Sequence, residues 1–193
     1  MHLAGLADRP AGVLDAAVEV AIASPDDEAV RGAVRDLLRH GKYKPTGRGK
    51  PASEYLRQAA REGRFPRIDA LVDLNNLASL ESGLPISVLD LTRAGRQFIL
   101  RYGRAGESYV FNAAGHTIDL QDLLLIARLP EDQPCANAVK DSMATKVGSG
   151  TTEALAVIYA PAARAARAER AAERFATLAC EALGARARAW LVS

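Results

Sequence analysis

Five basic side chains, Lys42, Lys44, Arg48, Lys50 and Arg57, are threaded through the stretch HGKYKPTGRGKPASEYLRQ, which runs from His40 to Gln58 and is broken by glycines and prolines. Three kinds of chemistry suit such a segment: a loop that cradles nucleotide phosphates, a grip on a nucleic-acid backbone, or a solvated connector. The first needs a Gly-x-x-x-x-Gly-Lys-Ser/Thr loop between a strand and a helix. Here Pro51 follows Gly49-Lys50, Lys44 stands where the first glycine belongs, and the preceding segment reads as a helix. A phosphate-binding loop of that type is excluded. The grip survives, with cations to follow a phosphate backbone and Tyr43 to stack on a base. So does the connector, which composition alone favours.

A second constellation is Asn75-Asn76, two amides in the middle of an otherwise apolar helical run. Asparagine is a poor helix former, because its side chain competes for nearby backbone groups. The pair therefore either presents donors to a pocket or bonds local backbone. Other catalytic patterns are missing. His2, His40 and His116 are scattered with no partner context for a triad. His116 and Cys135 lack a metal-ligand spacing, so no metal or cofactor is expected. Cys135 reads as a small buried residue rather than a nucleophile.

Bulk properties bound the rest. The 193 residues are 49% hydrophobic, enough for a real core in one domain spanning 1–193. A formal net charge of +2 means that any attraction for a polyanion must come from local clustering. Such clustering exists: Gly41 to Arg67 holds eight Lys or Arg against Glu54 and Glu62, whereas acids outnumber bases from Asp8 to Asp36. Cys135 and Cys180 are too few for a disulfide framework. Asp8, Arg9, Pro10 and Asp15 interrupt the apolar run that a signal peptide needs, and no apolar segment is long enough to span a bilayer. A soluble, cytoplasmic protein with no membrane partner is the expectation.

The elements that must position these groups follow from periodicity. Val13 to Ala23 contains the alternation Val18, Val20, Ile22, which favours a strand, with a helix as the alternative. SPDDEAVRGAVRDLLRHG predicts a helix capped by Ser24 and stopped by Gly41, with a stripe of Val30, Val34, Leu37 and Leu38. PASEYLRQAAREG predicts a short helix, and PRIDALVDLNNLASLESG another, with Ile68, Leu71, Val72, Leu77 and Leu80 on one side. ISVLDL, QFILRY, SYVFN, DLLLIARL and EALAVIYA read as strands. A long helix over 162–184 then carries Arg164, Arg167, Arg170 and Arg174 on one face, next to Glu169 and Glu173, and is expected to be a solvated surface laced with salt bridges. Helices first, strands next and a closing helix predict an α+β fold.

The segments KPTGRGKPASEYL, FPRIDALVDLNNLASLESGLPISVLDL, FILRYGRAGES and KDSMATKV together carry a resemblance. They resemble the tRNA-editing domain (the B-three/B-four domain) of the bacterial phenylalanyl-tRNA synthetase beta chain, in free-standing form. The match runs from about Lys44 to Tyr159 and is most specific from Leu71 to Leu91, through Leu80-Glu81-Ser82-Gly83-Leu84-Pro85 and then Asp90-Leu91. It implies a three-layer β/β/α core over about 44–160, flanked by N-terminal helices and the C-terminal helix. It also implies a pocket walled by Asn75, Asn76, Pro85, Ser87, Gly106 and Glu107. The segment Lys140 to Val147, with Asp141, would close the opposite side, and Asn76 and the backbone near Gly106 would hold a water for ester hydrolysis.

The same resemblance expects threonine at Asn75, histidine at Ser87, a glycine pair at Asp141-Ser142 and a glutamate near Val157. Losing that glutamate removes the acceptor for a substrate hydroxyl. The pocket is thus expected to be retained with a changed occupant. The leading expectation is a module that binds tRNA or aminoacyl-tRNA rather than DNA, with Lys42, Lys44, Arg48, Lys50 and Arg57 on phosphates, and that deacylates mischarged tRNA in trans. A small-molecule binding module without catalysis, and a scaffold using the arginine-rich helix, are the alternatives.

Overall fold

The computed structural model describes residues 1–6 and 14–190. Its helices are α1 (Asp15–Ala23), α2 (Glu28–Leu38), α3 (Ala52–Arg61), α4 (Ala70–Ser82), α5 (Leu91–Ala94) and α6 (Ala165–Leu183). Its strands are β1 (His2–Ala4), β2 (Ile86–Asp90), β3 (Phe98–Tyr102), β4 (Ser108–Val110), β5 (Thr117–Asp119), β6 (Leu124–Arg128), β7 (Gln133–Asn137), β8 (Glu153–Ile158) and β9 (Arg186–Arg188). The strands form three antiparallel sheets ordered β2-β8-β1-β9, β3-β6-β7 and β4-β5.

Side-chain alternation along β2 and β8 sorts the layers. Ile86, Val88, Ala154 and Ala156 pack with Leu74, Leu77 and Phe175 on the helical side. Leu89, Leu155 and Tyr159 pack on the opposite face against Leu124, Ile126 and Ala136 of the second sheet. The result is the expected β/β/α stacking, with the four-stranded sheet in the middle. β6 is buried on both faces, since Leu125 and Ala127 enter a third cluster with Tyr109 and Leu120.

Three expectations change. Residues 15–23 form a helix, not a strand, while Val13 lies outside the described residues. Leu14, Val18 and Ala21 recur at helical spacing and are buried, whereas Val20 of the apparent alternation is 71% exposed. Ser24 does not cap α2: the helix starts at Glu28, Asp27 accepts from the Val30 N–H at 3.0 Å, and the Ser24 hydroxyl donates back to the Val20 carbonyl instead. The α4 stripe also differs, because Ile68 precedes the helix and is exposed. Within the helix, Leu71, Leu74, Leu77, Ala78 and Leu80 are buried on more than one side. α4 is the central helix of its layer, packed between α6, α3, α1 and β2. That burial overrides the low propensity of Asn75-Asn76, and Asp69 caps the start by accepting from the Val72 N–H at 2.9 Å.

Two arginines of α6 reach across to other elements rather than to the helix's own glutamates. Arg167 donates to the Ser82 carbonyl and to Asp27, and Arg174 pairs with Glu81. Phe175, fully buried between α6 and α4, anchors that contact. Phe175→Ala is expected to lower unfolding free energy by about 3–5 kcal/mol in urea titrations, the range for emptying an aromatic core site.

Candidate functional site

β2 ends the four-stranded sheet, so one row of its backbone groups has no neighbouring strand. Exposed rows of this kind must be satisfied by something else. Here side chains approach it at Ile86 and Val88, and a backbone bridge between Leu89 and Lys146 meets it further along. The Asn75 amide, from α4, donates to the Ile86 carbonyl at 3.3 Å. The Asp141 carboxylate, from the loop after β7, accepts from the Ser87 hydroxyl at 2.6 Å, and the backbone N–H groups of Val88 and Asn137 favour its charged form. Carbonyl 86 and N–H 88 leave the same edge of a pleated strand, so the two side chains lie in line along it. The Oδ1 atom of Asn75 is buried and unpartnered among the described residues.

Behind this edge a polar network runs between the sheets. Ser87, 1% exposed, also lies 3.1 Å from the Tyr159 hydroxyl and 3.1 Å from the Asn137 carbonyl. A serine has one proton; the shortest contact assigns it to Asp141, which leaves Tyr159 as donor to Ser87. The Asn137 amide nitrogen donates to Tyr109, whose hydroxyl donates to the Lys140 carbonyl, and Asn137 Oδ1 accepts from the N–H of Val139 and Lys140. Burial pushes the Asp141 carboxyl up to about 6 against the pull of the Ser87 hydroxyl and the two N–H groups, and it raises both tyrosines. Burial also pushes the Cys135 thiol up to about 12, so it stays protonated, with Sγ on the Ile126 carbonyl.

The other expected pocket residues divide. Pro85 is buried at the entry to β2, and its carbonyl accepts from the Tyr159 N–H. Asn76 is buried within α4 and makes no side-chain hydrogen bond among the described residues. Val157, near which the resemblance expects a glutamate, pairs directly with Ser87 across the β2–β8 ladder. A carboxylate does reach Ser87, but it comes from Asp141. Gly106 and Glu107 lie apart, in the β3–β4 turn. Glu107 takes a bidentate pair from Arg101 at 2.8 and 2.9 Å plus the Arg104 N–H, and these bonds hold its carboxyl below its ordinary value. Asn76, Ser87 and Glu107 thus do not converge on one cavity.

The basic stretch also divides. Lys42, Lys44 and Arg48 are exposed and form no ion pair among the described residues. Lys50 donates to Gln58. Arg57 is tied inward, to the carbonyls of Ala21, Ser24 and Leu80 and to Asp26, and joins α1, α3 and α4 rather than facing a ligand. Tyr43 is packed into the core with its hydroxyl on the Gly49 carbonyl. Lys140, the first residue of the segment expected to close the pocket, sits 3.8 Å above the Phe111 ring; partial burial first, then Arg48, lower its pKa. Asn137, Tyr109 and Tyr159 were unmarked in the sequence. A cavity of about 240 Å³ opens elsewhere, between α2, α3 and the end of α4, and its Asp26, Asp27, Glu54, Arg57 and Arg167 are ion-paired with the protein itself.

The sequence profile of the B3/4 domain matches residues 44–180. The chain belongs to the B3/4 domain family. Over 187 aligned positions it is 27% identical to the phenylalanine--tRNA ligase beta subunit of Pasteurella multocida (strain Pm70), covering 88% of this chain and 23% of that subunit. It therefore spans less than a quarter of that relative's length and is a domain related to a tRNA synthetase.

In this B3/4 domain the Asp141 titration has a definite sign. Its folded pKa, about 6, lies above the ordinary 3.8, so the folded state holds the proton more tightly. The contribution to stability is fully present below the ordinary value and is lost as pH rises through about 6. Asp141→Asn removes the titration. Wild type should therefore lose about 2 kcal/mol relative to the variant between pH of about 4 and 7, read from paired urea titrations; a pH-independent difference would exclude a buried carboxylate.

Proposed function

We propose that this B3/4 domain binds the acylated 3′ end of a tRNA and deacylates a mischarged one in trans. The supporting observation is an adjacency. Lys140, close enough to Arg48 to feel its charge, directly precedes Asp141, whose carboxylate lies along the β2 edge beside Asn75. An aminoacyl-tRNA end presents the complementary chemistry, a polyanionic strand that terminates in an ammonium-bearing ester. Exposed Lys42, Lys44 and Arg48 suit the phosphates, while the Asp141 carboxylate suits the ammonium. Ser87 is buried with its proton committed to Asp141, which speaks against a serine nucleophile. Hydrolysis would use water: its oxygen attacks the ester carbonyl, the bond to the ribose oxygen breaks, and that oxygen leaves with a proton. The ammonium held at Asp141 fixes the carbonyl relative to the water.

A second reading has its own support. Ser87, Asp141 and Tyr159 bond to one another, and Ser87 and Tyr159 are nearly inaccessible, so side chains fill the space behind the edge. A site narrowed in that way suits a small amino-acid-like ligand bound without turnover.

Incubation with a panel of mischarged tRNAs separates the two. Deacylation above background, lost in Asp141→Ala, is the expected result; thermal stabilisation by free amino acids with neither tRNA retention nor hydrolysis would favour the second reading. In filter binding, the Lys44→Glu/Arg48→Glu variant should weaken retention of all tRNAs alike. It should also flatten the salt dependence by about 0.7 per lost single-strand phosphate contact.

A further inference from the structure

Tyr43, the first tyrosine of the basic stretch, is half-buried against the core, yet an aromatic pair does stand open beside the same cations. His40, just past α2, stacks on Tyr102, the last residue of β3, with ring centroids 3.6 Å apart and planes within 11°. Tyr102 is 40% exposed and His40 is exposed, so the pair has free ring surface. β3 is the outer strand of its sheet, and Leu100, on the same face as Tyr102, is 50% exposed. Lys42 sits within the turn closed by the Tyr43 N–H on the His40 carbonyl, and Lys44 follows it.

The pair is held in place. Asp122 donates its N–H to the Gly103 carbonyl, next to Tyr102, and its carboxylate accepts the Lys42 N–H at 2.8 Å. At Gly103 an added Cβ would lie 1.8 Å from the Leu120 carbonyl oxygen. At Gly41, where φ is +50, it would lie 2.4 Å from the Asp122 carboxylate carbon. Both approaches admit only glycine. Asp122 thus pins the turn that carries His40 to the strand end that carries Tyr102. Two rings fixed before any ligand arrives present a flat π surface at little entropic cost.

We propose that the His40–Tyr102 pair is a stacking platform for one unpaired nucleobase of a single-stranded RNA end, with Lys42 and Lys44 on the adjoining phosphates. The proposal rests on the RNA-binding half of the function above and adds the residues that receive a base. Every base has a π face, so the platform tolerates any sequence and requires a single strand. Polyanion charge complementarity selects this occupant over an apolar protein partner. Asp122 is a positioning residue, and its Ala variant should lose part of the same affinity.

The test uses the full chain and a short single-stranded RNA with the sequence of a tRNA 3′ end, carrying 2-aminopurine at its last position. Tyr102→Ala and His40→Ala should each weaken binding by roughly five- to a hundredfold, the range measured for removing one base–aromatic stack. Tyr102→Phe should bind as wild type does. The slope of log affinity against log salt should not change in these variants, whereas Lys42→Glu should flatten it. Wild type should quench the 2-aminopurine, and His40→Ala, at an exposed position, reports even if Tyr102→Ala fails to fold. Tight, salt-sensitive binding that is indifferent to Tyr102 and His40 and leaves the fluorescence unquenched overturns the platform alone. No binding by wild type at low salt overturns the RNA reading as well.

Discussion

An unpaired strand edge inside a packed protein must be answered group by group, and the outer side of β2 is such an edge. Its carbonyl at Ile86 accepts from Asn75 of the helical layer, and its N–H at Val88 favours the charge of Asp141, from the loop that follows β7. These contacts tie three parts of the chain to one strand. They also concentrate the polar chemistry there, because a buried carboxylate needs donors and recruits Ser87, Tyr159 and Asn137 behind it. The structural need and the candidate site occupy the same few atoms. Asp141 supplies at this edge a charge that a glycine pair would not.

Several of the basic side chains are committed to partners within the protein. Arg101 is clasped by Glu107 and Asp132, Arg35 by Glu54, and Arg57 by three carbonyls and Asp26, each using the planar fork that suits guanidinium to multiple acceptors. Lys42, Lys44 and Arg48, with Lys140 beside them, form a group without ion pairs among the described residues. A protein of net charge +2 can still present a positive field there, because neutralised arginines add little to the surface potential.

The parts legible in the sequence were those set by strong local signals. The core strands β2, β6 and β8 and the α+β layering follow from periodicity and from turn residues. β1 and β9 have three residues each and β7 reads Gln-Pro-Cys-Ala-Asn, so they are strands because neighbours pair with them, not because their residues favour extension. α1 was misread because two of its valines alternate, and only tertiary packing shows that Val20 faces water. At the site, Ser87 and Asp141 share a hydrogen bond, while Asn75 bonds the neighbouring Ile86 carbonyl. Glu107 was marked for its charge, but a charge does not disclose its partner, and Arg101 took it. Tyr159 and Asn137 carry no motif. Their role exists only once β2, β7 and β8 lie side by side.

The smallest element of the central sheet has a consequence for how the chain reaches its shape. β1, residues His2–Ala4, lies between β8 and β9, pairing with residues 153–155 on one side and 186–188 on the other. Its partners are made long after it, so the sheet cannot close until they have emerged. Such sequence-distant pairing slows folding, and until it is complete β8 offers a bare flank to other nascent chains.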